Sequence, residues 1–230
     1  MSHRILVPVE VLEGESIPEA LFEALAPVPV VVLGYQVLPE QTAPGQARLQ
    51  FEERAQKRLG EIADLARRAG CDAETRLVFT HEAEQTVRRI ATETGCDAIL
   101  VSNPMSTVES VLVSLRGGDD PEQIGAIVAA FAADDEFPIT LLHVATADET
   151  AERRWRAQEQ LVAGGVDADR IHAESVTADA PVSVIADVAV DHDLVVMGET
   201  APSFREYVFG EDHQRVADRS LGPVLVVGLR

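Results

Sequence analysis

Short apolar runs recur along the chain, and between them lie stretches whose apolar residues fall every three or four positions. The runs are Arg4-Ile-Leu-Val-Pro-Val-Glu10, Pro29 to Val37, Asp97 to Ser102, Ser110 to Leu115, Pro138 to Val144, Asp193 to Gly198 and Gly222 to Val227. Runs such as 99–101 and 194–197 are apolar throughout, the pattern of strands buried on both faces of a parallel sheet. Phe51, Ala55, Leu59, Ile62 and Ala66 make one helical stripe. Ile124, Ile127, Val128 and Phe131 make another, after the helix start Asp120-Pro121-Glu122-Gln123. Val182, Ile185, Ala186 and Ala189 follow Asp179 and Pro181 in the same way, and Ser203-Phe-Arg-Glu206 has the spacing of a capping box. Strands alternating with helices, joined by right-handed crossovers, predict an α/β fold of open, doubly wound parallel sheets.

The pattern also repeats. Residues 110–115 match the strand 4–10, residues 138–144 match 29–37, and residues 193–198 match 97–102. A repeat near half the length favours two domains, expected at 1–106 and 107–230. The halves are unequal. Only Met105 to Glu109 separate Asn103-Pro104 from the next first strand, so the first half is expected to lack its last helix and edge strand. Reading 110–115 as the fifth strand of the first half leaves the second half without a first strand before Asp120.

Composition narrows the class. The chain has 39 acidic and 19 basic residues and a net charge of -20, with Lys57 as its single lysine. The acids are dispersed, and a folded chain this acidic repels itself unless salt screens it. The pattern is similar to proteins of salt-accumulating haloarchaea. It argues against nucleic acid, which is held by clustered bases; Arg67-Arg68, Arg88-Arg89 and Arg153-Arg154 fall on predicted helices as solvated faces. No apolar run is long enough to span a bilayer, and no charged-then-apolar leader begins at Met1, so a soluble cytoplasmic protein is expected. Cys71 and Cys96 sit in matching Gly-Cys-Asp-Ala contexts without metal or redox spacing, and read as small packed thiols. His81 and His143 have no nucleophile in a recognisable motif, so no catalytic residue and no metal site is expected.

The stretch from Asp193-Leu-Val-Val-Met-Gly198 to Gly222-Pro-Val-Leu-Val-Val227 resembles the last strand–loop–helix–strand of the universal stress protein family. Arg4 to Glu10 resembles the family's opening strand. The resemblance covers nearly the whole chain as a tandem, and implies the adenine-nucleotide alpha hydrolase-like fold. It implies a nucleotide site at the carboxyl ends of the first and fourth strands of a half: Leu115, Arg116 and Gly117 with Gly198, Glu199, Thr200, Ala201, Gly210 and Glu211, and Glu10 in the first half. That site departs from the family. Ala201 stands where a glycine is expected, Glu211 where a hydroxyl is expected, and the loop is one residue short. The strand-one aspartate becomes Glu10 in one half and Arg116 in the other, where the arginine is either an anion clamp or a surface partner of Asp119 or Asp120.

Two readings follow. One is a stress-response or regulatory protein with a degenerate nucleotide site, not an enzyme, that acts by protein contact, for instance on a transporter. The other is a working ATP-binding protein using the second half. The departures from the family pattern imply no ATP, or ATP held weakly with Mg²⁺, and the resemblance implies a homodimer formed through Val224 to Val227.

Overall fold

The computed structural model describes residues 3–103, 105, 107–145, 152–178, 181–199 and 222–228. The chain divides into two compact units, one ending at Leu100 and the other spanning Val101–Gly228.

In the first unit the order is β1 (Ile5–Glu10), α1 (Glu19–Leu25), β2 (Val30–Val37), α2 (Pro44–Arg68), β3 (Ala73–Thr80), α3 (Ala83–Glu93) and β4 (Ala98–Val101). β1 pairs in parallel with β2, Ile5 against Val30, and with β4, Ile5 against Ala98; β2 pairs in parallel with β3. The strand order is therefore β3-β2-β1-β4. Ala55, Leu59, Ile62 and Ala66 are buried along α2, as their spacing predicts. Cys71 and Cys96 are both 5% exposed. Burial pushes the Cys71 thiol up to about 11, and its Sγ donates to Phe22 O at 3.2 Å. Such a thiol is inert.

The second unit runs β5 (Val111–Leu115), α4 (Pro121–Ala132), β6 (Ile139–Ala145), α5 (Glu152–Ala163), β7 (Ile171–Thr177), α6 (Pro181–Ala189), β8 (Leu194–Gly198) and β9 (Val224–Val227). β5 pairs in parallel with both β6 and β8, β6 with β7, and β8 with β9. The order β7-β6-β5-β8-β9 reverses direction at β5, so right-handed crossovers place helices on both faces. Residues 110–115 thus belong beside β6 and β8, as a first strand would.

Local chemistry explains the second unit's helix start. The Asp120 carboxylate accepts from the backbone N–H groups of Glu122 and Gln123, both at 3.1 Å, and Pro121 opens α4. Ile124, Ile127, Val128 and Phe131 then bury almost completely, each contributing roughly 1.5–3 kcal/mol. On α5 the chain's one tryptophan, Trp155, is 63% exposed.

Val224 to Val227 were expected to offer an open apolar edge to a second chain. Each of these residues, backbone included, is at most 2% exposed within the single chain.

Candidate functional site

In an open parallel sheet a ligand site lies beyond the carboxyl ends of the strands where strand order reverses. In the second unit that point falls between β5 and β8. Leu115 and Gly198 end these neighbouring strands, so the structure brings together two of the residues expected from sequence. Arg116 and Gly117 follow β5, and Glu199 follows β8 with its N–H bonded to Val227 O at 2.8 Å. Thr200, Ala201, Gly210 and Glu211, with the Ser203–Glu206 helix start, lie outside the described residues.

What fills the switch point is an acid. Residues 116–119 close a turn: Asp119 N donates to Arg116 O at 3.2 Å, and Arg116 N donates to the Asp119 carboxylate at 2.8 Å. Gly118 makes the turn possible, with a φ of +92°. The turn presses the Asp119 side chain onto Gly198. A Cβ built at residue 198 would run into the carboxylate, with Asp119 Cβ only 3.0 Å away. Asp119 is 7% exposed, and Arg153 Nη1 donates to its carbonyl at 2.7 Å, fixing the turn from α5. The Arg116–Asp119 relation anticipated from sequence therefore includes a backbone bond rather than resting on the guanidinium alone.

A phosphate brought to Gly198 would lie against the Asp119 carboxylate. Gly198 is the residue whose missing side chain would admit one, and the Asp119 carboxylate occupies that space. Two like charges 4 Å apart repel by about 4 kcal/mol at an effective dielectric of about 20.

The corresponding end of the first unit is also occupied by acids. Glu10 ends β1, and its N–H donates to the Glu15 carboxylate at 2.6 Å. Its own Oε1 accepts from Val37 N at 3.4 Å and from Gln36 Nε2 at 3.3 Å, and the same Nε2 lies 3.5 Å from Glu13 Oε1. Burial raises the Glu15 carboxyl above the usual carboxylate range; the Glu10 N–H pulls it down and the Glu10 charge adds to the rise. The Tyr35 hydroxyl is raised as well, first by burial and then by Glu15 and Glu10. Glu10 thus holds the end of β2 rather than facing an open crevice.

His81 Nδ1 lies 3.1 Å from Leu38 O, and His143 is fully buried within β6. Among the described residues no group of three or more His, Cys, Asp or Glu is placed to hold a metal ion. Among them, too, no helix is long and apolar enough to cross a membrane.

Sequence reasoning missed Asp119, Glu13 and Glu15 as occupants. Gly117-Gly118-Asp119-Asp120 reads as a turn before a capped helix, and the capping role of Asp120 hides the separate role of its neighbour.

No family model matches the chain, and no curated protein matches it. Solved structures do. A universal stress protein from Archaeoglobus fulgidus DSM 4304 superposes with a TM-score of 0.64 at 17% identity, over 99% of this chain and 96% of its own. That likeness shows the fold. A universal stress protein in complex with cAMP matches 54% of this chain and all of its own, with a TM-score of 0.41 at 23% identity. A functionally unknown protein, PA1789 from Pseudomonas aeruginosa PAO1, matches 98% of this chain and 92% of its own, at 0.49 and 16%.

Proposed function

We propose that this chain is a tandem universal-stress-protein-like regulator, with repeats at 1–106 and 107–230, whose nucleotide site is degenerate and which acts by contact with a protein partner. The observation that carries the reading is the Asp119 carboxylate seated against Gly198. The acids at the end of β1, with Glu10 committed to Val37, support it for the first repeat. Ala201 and Glu211, read from sequence, point the same way. A regulatory partner such as a transporter fits a chain whose ligand positions are filled by its own side chains. The dispersed acids support a halophilic, cytoplasmic setting.

One observation favours ATP binding in the second repeat instead: Leu115 and Gly198 do end adjacent strands at the switch point. Calorimetry with ATP and Mg²⁺ in molar KCl separates the two. Our reading expects no binding, or weak binding, by the wild type, and a gain on combining Asp119→Ser with Ala201→Gly and Glu211→Ser. Tight binding by the wild type overturns it.

A further inference from the structure

The first unit carries a pocket that the site above does not use. It has a volume of about 270 Å³ and lies between the loop after β1 and the side of α2, with Leu12, Gly14, Arg54, Lys57, Arg58 and Glu61 among its walls. The four α2 residues fall at i, i+3, i+4 and i+7, one face of the helix. Three of them are bases, and one is the only lysine in the chain.

Other arginines on α2 and α3 are matched to carboxylates, Arg48 with Glu52, Arg67 with Asp64, Arg88 with Glu84 and Arg89 with Glu93, while Arg153, Arg154 and Arg170 donate to backbone carbonyls. Among the described residues, Arg54 and Lys57 form no ion pair, although acids outnumber bases about twofold. Arg58 is held in place, donating to Glu61 at 3.2 Å and to Glu15 O at 3.2 Å. The walls therefore sum to two positive charges, from Arg54, Lys57 and Arg58 against Glu61, in a protein of net charge -20. On the loop side, nothing lies within 4 Å of where a Gly14 side chain would begin, so the backbone there is open to a ligand.

We propose that this pocket binds a small phosphate-bearing anion. A dianion balances the surplus charge. Guanidinium groups meet phosphate oxygens in paired, charge-assisted hydrogen bonds, and the lysine adds a point charge. The volume falls just below the roughly 300–1,000 Å³ of pockets that enclose drug-sized ligands, which suits a phosphoryl group with few further atoms. The site lies in the first unit and does not depend on the nucleotide reading of the second.

The test is phosphorus NMR titration of the full chain, folded in KCl, with inorganic phosphate, pyrophosphate and ribose 5-phosphate as separate probes. Saturable one-to-one binding of at least one probe is expected. The double variant Arg54→Gln with Lys57→Gln should weaken it at least tenfold. Arg68→Gln, an exposed base elsewhere on α2, should leave it unchanged. The three probes distinguish free phosphate from the phosphoryl group of a larger molecule. Absence of saturable binding by the wild type overturns the proposal, and so does an equal loss in Arg68→Gln, which would mark a diffuse charge effect. An ATP signal that vanishes in the Arg54/Lys57 variant belongs to this pocket and not to the second repeat.

Discussion

Asp193 grips Ser110 twice: its carboxylate accepts from the Ser110 hydroxyl at 2.9 Å, and its N–H donates to Ser110 O at 3.2 Å. The same carboxylate accepts from Glu109 N at 3.0 Å. In the first unit Asp97 treats Arg4 alike, accepting from Arg4 N at 3.3 Å and donating to Arg4 O at 2.9 Å. Each aspartate precedes one strand and fixes the start of its neighbour, which sets the register of β1 with β4 and of β5 with β8.

Asp193→Ala removes the acceptor for two donors. Leaving such groups unsatisfied costs about 1–3 kcal/mol. Denaturant unfolding should show a loss in that range, with Asp193→Asn falling between variant and wild type.

Gly198→Ala should be costly because its methyl group meets the Asp119 carboxylate. Overpacking of this kind typically costs about 1–3 kcal/mol. Combining it with Asp119→Gly should recover much of the loss. A double-mutant cycle measures the coupling, which additive effects would refute.

Glu15→Gln should stabilise the protein at neutral pH. The folded-state pKa of Glu15 is raised, chiefly by burial, so the favourable form is the protonated one. Its contribution is fully present below the unfolded pKa and is lost as pH rises through the folded value. The gain from Glu15→Gln should therefore be largest near pH 7 and shrink as pH falls through the carboxylate range. Melting temperatures of both proteins across that range check it.

Stability should rise from low salt to molar KCl, because screening relieves repulsion among 39 acids set against 19 bases. Thermal unfolding across a KCl series is the measurement; a flat or falling trend counts against the halophilic reading.

Much of the fold was legible because its central strands are apolar throughout and its best helix start is spelled out by Asp120 and Pro121. β7 was not, since Ile171–Thr177 is mostly exposed and has no apolar run. Nor was α1, whose seven residues give periodicity little room. Leu115 and Gly198 were placed at strand ends from sequence because strand ends follow from the pattern. Asp119 and Glu15 were not foreseen, because what they fill is decided by a turn and a loop folding back, and neither carries a periodic signal.

Trp155 is the chain's single tryptophan, and it stands on the solvent side of α5. Its emission therefore follows events at the surface of that helix more closely than events in the core. Unfolding of the helices and strands is better followed by far-ultraviolet dichroism. A change in indole emission without a change in dichroism would mark something arriving at α5 while the fold stays intact.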